Sequence, residues 1–166
     1  RIKARGGGWV FSAVDFVDLG TRNAVDKALS RMAADGSVRR VARGLYDVPK
    51  RHPFVGSTAP SIDQVAKAVA GKSGIRLQPT GAYAANLLGL SDQVPAKVVF
   101  LTDGRSKHLQ LGKLTIALKQ TSPRIMATAG TISGSIIQAL RYLGKDHVTE
   151  ETVKRLDRKL SPDDRK

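Results

Sequence analysis

The apolar positions between residues 12 and 48 change period twice, and each change marks an element. Ala13, Phe16 and Val17 fall at i, i+3 and i+4, the spacing of one buried helical face. Ser12 precedes them as an N-cap, and Asp15 three residues on puts negative charge at the positive end of that helix. Gly20 is the expected stop, because glycine tolerates the left-handed backbone that ends helices. Thr21 then caps a second helix, predicted over 22–35 with Gly36 as its C-terminal stop. Val25, Ala28, Leu29 and Met32 form its apolar stripe. At about 100° per residue, Asn23, Asp26, Lys27 and Ser30 point the other way, flanked by Arg22 and Arg31. After Gly36 the pattern becomes that of strands. Val38 and Val41 bracket Arg39 and Arg40, and Leu45, Tyr46 and Val48 follow the tip Ala42-Arg43-Gly44, where Gly44 supplies a positive φ. Pro49 ends the second strand.

Helix, glycine turn, amphipathic helix and basic hairpin, in that order, predict a winged helix-turn-helix over residues 1–51. Arg1 to Arg5 read as the end of a first helix and Gly6 to Gly8 as the loop after it. Such a module reads duplex DNA from the N-terminal part of its second helix. Arg can bond guanine there, and Asn can bond adenine, each in two-pronged fashion. The expected DNA-binding residues are Thr21, Arg22, Asn23, Lys27, Ser30 and Arg31 on the helix, with Arg39, Arg40 and Arg43 on the hairpin for phosphate or minor-groove contact. Asp26 in the same stripe opposes phosphate binding at its own position. Trp9 is expected to pack beside the hairpin.

The remainder predicts a small α+β domain. Residues 52–60 contain Pro53, Gly56, Ser57 and Pro60 without periodicity and read as a linker; 61–160 form the second domain and 161–166 a frayed tail. Ser61 caps a helix over 62–70, with Ile62, Val65 and Val69 on one face. A short strand is expected over 75–77 and a helix over 80–90. The apolar run KVVFLT, 97–102, reads as a buried strand, followed by a turn at Asp103-Gly104. Strands over 107–111 and 114–120 complete a short antiparallel meander with Arg105, Lys107, Lys113 and Lys119 expected on its outside as a second basic surface. Two closing helices follow. One has the stripe Ile132, Ile136, Leu140 and Leu143; the other is capped by Thr149 and packs through Val153, Leu156 and Leu160.

Charge sharpens the picture. The 166 residues hold 28 Lys and Arg against 14 Asp and Glu, a formal charge of +14. That excess calls for a polyanionic partner through counterion release. It is spread along the chain, at +6 over residues 1–51, +8 over 52–145 and zero over 146–166. An acidic protein or an RNA on the basic central domain is therefore the alternative to duplex DNA. The chain has no cysteine, which excludes disulfides and cysteine-ligated metal and fits a reducing cytoplasm. No apolar run reaches the roughly 20 residues of a membrane span, and no signal peptide is visible. Gly71-Lys72-Ser73 resembles the end of a P-loop, but position 66 is Ala where that motif needs Gly. His52, His108 and His147 are scattered, and between His52 and Lys145 the acids are only Asp63, Asp92 and Asp103. No zinc site, two-metal centre or catalytic constellation is expected, and no cofactor.

Three further stretches carry a resemblance. Together with GWVFSAVDFVDLGTRNAVDKALSRMAADGSVRRVARGLYDVPK at the start, the blocks TGAYAANLLGLSDQVPAKVVFLTDG, LGKLTIAL and QALRYLG make the chain similar to AbiEi-like antitoxins, transcriptional regulators of type IV toxin–antitoxin systems. The middle block is the specific one, since winged helices in general lack it. The resemblance implies a winged helix that binds inverted repeats in its own promoter, with two copies on the DNA. It also implies a C-terminal domain that counteracts a nucleotidyltransferase-type toxin without forming a stable complex with it.

Overall fold

The computed structural model describes residues 1–54, 56–71 and 74–165. The architecture is α+β, divided into two compact units, residues 1–74 and 75–166.

In the first unit the order is α1 (Ile2–Arg5), β1 (Val10–Phe11), a 3₁₀ turn (Ala13–Phe16), α2 (Arg22–Ala34), β2 (Arg39–Ala42), β3 (Leu45–Asp47), β4 (Lys50–His52), β5 (Gly56–Thr58) and α3 (Ile62–Ala70). An antiparallel sheet runs β1-β3-β2, and β4 with β5 forms a separate hairpin. Phe11 is fully buried at the centre of a core made by Ala13, Phe16, Val25, Leu29, Val38 and Tyr46. Its ring meets Phe16 edge-on at 5.5 Å and Tyr46 at 6.2 Å. Burying a side chain of this size contributes about 1.5–3 kcal/mol. Trp9 lies 4.7 Å from Phe11, ring to ring, and packs against this core as expected.

Several sequence expectations change here. The short helix after Ser12 is a 3₁₀ turn, not an α-helix. At three residues per turn only i and i+3 align, so Ala13 and Phe16 are buried while Val17 is 58% exposed. Asp15 closes the turn by accepting from both the backbone N–H and the hydroxyl of Ser12. Gly20 does not end this turn, which stops at Phe16, and its backbone is not left-handed. Residues 52–60 are not a featureless linker, because β4 and β5 pair across them. The division between units falls after α3, which is capped by Ser61, buries Val65, Ala66 and Ala70, and packs beside β1. Gly71 ends α3 with φ +88°. Lys72 and Ser73 of the P-loop-like triplet lie outside the described residues.

The second unit contains β6 (Leu77–Thr80), α4 (Gly81–Leu87), β7 (Lys97–Thr102), β8 (Lys107–Leu111), β9 (Leu114–Gln120), a 3₁₀ turn (Ile125–Thr128), α5 (Ile132–Leu143) and α6 (Glu150–Lys159). Its sheet is not the expected meander. The order is β6-β7-β9-β8, with β9 parallel to β7 and both outer strands antiparallel to their neighbours. Burial decides this. Val98, Phe100 and Thr102 of β7 and Ile116, Ala117 and Leu118 of β9 are at most 2% exposed. These two strands take the central places, and β8, with Lys107, His108 and Gln110 exposed, takes an edge. β6 is the other edge, where Pro79 needs no donor on its outer side. The alanines Ala84 and Ala85 of α4 meet Ala139 of α5 and Leu156 of α6 in a close-packed cluster, and Tyr83 reaches Phe100 of the sheet at 5.5 Å. The tail is not wholly frayed, since Pro162–Arg165 form a 3₁₀ turn in which Ser161 bonds Asp164.

Asp103 does more than shape its turn. Its two oxygens accept from the Arg76 backbone N–H and Nε, each at 2.9 Å, tying the entry of β6 to the exit of β7. Those bonds lower the Asp103 pKa below its ordinary 3.8. A carboxyl depressed in the folded state stabilises above its unfolded pKa and loses that contribution as pH falls through its folded value. Asp103→Asn is therefore expected to be less stable than the parent at pH 6. The gap should close as the pH is lowered below 3.8, which denaturant titrations at pH 6 and pH 3 would check.

Candidate nucleic-acid interface

The Thr21 hydroxyl accepts from the Ala24 N–H at 3.3 Å and so starts α2. Val25 and Leu29 anchor one side of it in the core, at 8% and 3% exposure. A helix pinned along one stripe presents the other, and Thr21, Arg22, Asn23, Lys27, Ser30 and Arg31 are all exposed. Arg22 is not an independent cation, because its Nε donates to Asp26 at 3.0 Å one turn on. That exposed i,i+4 pair is weak, about 0.3–0.5 kcal/mol, and can open for a stronger acceptor. Lys27 and Arg31, again one turn apart, have no ion-pair partner among the described residues; with Asp26 and Ser30 they line a shallow recess.

The hairpin separates its three arginines. Arg40 and Arg43 are exposed without a side-chain partner among the described residues, Arg43 sitting at the tip beside Gly44 with φ +73°. Arg39 turns inward. Its Nε and Nη2 donate to the two oxygens of Asp47, at 3.0 and 2.6 Å, and Asp47 is fully buried. Nη2 also donates to the Thr58 carbonyl at 2.8 Å and Nη1 to the Ser57 hydroxyl at 3.3 Å, so the same guanidinium holds β5. The Asp47 carboxylate raises the Arg39 pKa further above its already high ordinary value. Arg39 thus has most of its donors committed and is a framework residue, unlike its neighbour.

A β-bulge explains why the hairpin divides in this way. Counted outward from the Ala42–Leu45 pair without interruption, Asp47 faces Arg40. The register shifts between Arg40 and Ala42, leaving Val41 as the extra residue, and Asp47 faces Arg39 instead. Asp47, absent from the sequence-derived site, is the residue that decides which arginines are available.

In the second unit Arg105, Lys107, Lys113 and Lys119 are all exposed. They do not share one face. Lys107 pairs with Leu118, so its side chain lies on that residue's side of the sheet, whereas Lys119 is the next residue along β9 and lies on the other. Arg105 and Lys113 sit in the connections. Positive charge is nevertheless even between the units: residues 1–74 hold 13 basic and 6 acidic side chains, and 75–166 hold 15 and 8, a net of +7 each. Among the described residues no group of three or more His, Cys, Asp or Glu is placed to hold a metal, and no helix is long and apolar enough to cross a membrane.

A family model matches the chain over residues 1–166. The chain belongs to DUF6088, a family of unknown function. Neither the curated proteins nor the solved structures contain a significant match. The DUF6088 match covers both units.

Proposed function

We propose that this DUF6088 protein is a sequence-specific duplex DNA-binding transcriptional repressor whose first unit works as a winged helix-turn-helix. We propose also that it is the antitoxin of a type IV toxin–antitoxin system. The observation that supports the DNA reading best is the division of α2. Asn23, Lys27 and Ser30 stand exposed opposite the buried Val25 and Leu29, with Arg22 and Arg31 exposed at their flanks, in the same unit as the free hairpin arginines Arg40 and Arg43. The helix offers donors suited to base edges and the hairpin offers cations suited to phosphates. The antitoxin role rests on the resemblance of the AANLLGLS to VVFLTDG block and its neighbours to AbiEi-like antitoxins.

Anisotropy titrations on the protein's own upstream DNA and on a scrambled duplex, at two salt concentrations, test the DNA reading. Affinity is expected to fall steeply with salt and to favour the upstream inverted repeats. Asn23→Ala should cost about 1–3 kcal/mol on the specific site and little on the scrambled one. Arg40→Ala/Arg43→Ala should weaken both alike and reduce the salt slope by about 2. Equal affinity for both duplexes in the parent protein rules the reading out. Rescue of growth on co-expression with a neighbouring nucleotidyltransferase tests the antitoxin role, and no rescue rejects it. The alternative, an RNA or acidic protein held by the second unit, is supported by that unit's net +7, equal to the first unit's, and by exposed cations that include Arg105, Lys107, Lys113 and Lys119. Replacing Arg105, Lys107, Lys113 and Lys119 by Ala separates the two: undiminished DNA affinity with lost RNA or protein binding supports the alternative.

A further inference from the structure

The second unit holds a recess of about 510 Å³ between α5 and the turn that follows β9. It is lined by Ser122, Arg124, Ile125 and Thr128 from the turn and by Ile137, Gln138 and Arg141 from the helix. No carboxylate lines it. Arg124 and Arg141 are exposed and make no hydrogen bond or ion pair with any described residue. Gln138 is 8% exposed, and its Oε1 accepts from the Thr80 hydroxyl at 2.8 Å. Its Nε2 has no partner among the described residues, yet it is not sealed in the interior as the Gln78 Oε1 is. Gln138 is among the residues that line the recess, and its Nε2 has no competing acceptor among the described residues.

From these features we infer that the recess is a binding site for a small organic phosphate. Two guanidiniums with no counter-ion suit a phosphoryl group, which each can grip through two N–H donors. The hydroxyls of Ser122 and Thr128 and the buried amide of Gln138 add neutral donors beside them. Ile125, 36% exposed, and Ile137, 41% exposed, form an apolar wall that a bare phosphate ion leaves uncovered and an organic substituent covers. The volume suits a molecule the size of a mononucleotide. The site uses none of the residues assigned to DNA and stands or falls independently of that reading.

Calorimetric titration of the whole chain with a nucleoside monophosphate, with inorganic phosphate and with the parent nucleoside tests it. The monophosphate is expected to bind saturably, about tenfold or more tighter than either fragment, because only it meets both the arginines and the isoleucine wall. Arg124→Ala and Arg141→Ala should each weaken it by about tenfold and leave the ligand-free melting temperature unchanged, since neither side chain has a folded-state partner. Arg40→Ala/Arg43→Ala should leave the affinity unaltered. Three results overturn the site: no saturable binding, inorganic phosphate binding as tightly as the monophosphate, or indifference to both recess substitutions.

Discussion

Replacing Asp47 by Ala is expected to destabilise the first unit by about 3–5 kcal/mol, a large part of the total stability of a domain this size. The carboxylate is fully buried and neutralised by Arg39 through two bonds, and the same guanidinium holds Ser57 and the Thr58 carbonyl. Loss of Asp47 strands a half-buried cation beside the sheet and loosens β5 from β2. Arg39→Ala should be at least as damaging, because it leaves a buried carboxylate without its counter-ion. Arg40→Ala and Arg43→Ala, one and four residues further on, should stay within about 0.5 kcal/mol of the parent. Urea denaturation of the four variants measures the contrast, and an Arg39→Ala as mild as Arg40→Ala contradicts the role given to the pair. Replacing both partners together, as Arg39→Met/Asp47→Leu, should recover most of the loss, since apolar residues can fill a buried ion pair's place at little penalty. DNA titrations of this hairpin need that control. A loss of affinity in Arg39→Ala reports a damaged fold, whereas one in Arg40→Ala reports a lost contact.

Gly134→Ala should destabilise the second unit by about 3 kcal/mol, at the upper end for an added methyl in a packed interior. A Cβ at Gly134 collides with the Thr128 carbonyl and comes within 2.6 Å of the Gln78 Oε1. Neither neighbour can retreat cheaply. Thr128 is backbone, and its oxygen already accepts from the Thr131 hydroxyl at 2.7 Å. Gln78 is 1% exposed and fixed by bonds from its Nε2 to Ser135 and the Pro79 carbonyl. Gly112→Ala is the comparison. It has open space around it and φ +59°, so only backbone strain of about 1–2 kcal/mol applies. Thermal melts of both variants distinguish the two kinds of glycine. Since Thr128 lines the phosphate recess, a folded Gly134→Ala should also bind the monophosphate more weakly, whereas Gly112→Ala should not.

Much of this architecture is legible in the order of residues. Of the four helices announced by an apolar stripe with a cap, three are present as α-helices: α2 begins after Thr21, α3 after Ser61 and α6 after Thr149, while the one after Ser12 is a 3₁₀ turn; α5, announced by its stripe alone, is present as well. These are local signals, because a cap and a 3.6-residue period are satisfied within one element. The exposed cations of α2 were legible for the same reason. Local signals fall short where a feature depends on two segments at once. Val17 belongs to a buried face only if the turn is α-helical, and it is exposed because the turn is 3₁₀. Residues 52–60 lack periodicity because a three-residue strand pair is too short to show one, and its partner was needed to see it. β8, β9 and their antiparallel pairing around Gly112 are legible locally, but the parallel place of β7 beside β9 is not. A sheet's order follows from which strands are buried most completely, and that ranking is a comparison across the unit.

The hairpin shows the same boundary at single-residue scale. Sequence by itself determined that residues 39–47 form a basic strand–turn–strand with Gly44 at the tip, because alternation and a positive-φ glycine are properties of the local chain. Only the tertiary structure decided that Arg39 is spent on Asp47 while Arg40 and Arg43 remain available, since a one-residue bulge at Val41 reverses which arginine faces the acid. Likewise, charge counting by itself shows that cations continue past residue 51. It took the fold to set Arg124 and Arg141, 17 residues apart, around one buried glutamine, because only packing brings a loop and a helix face together.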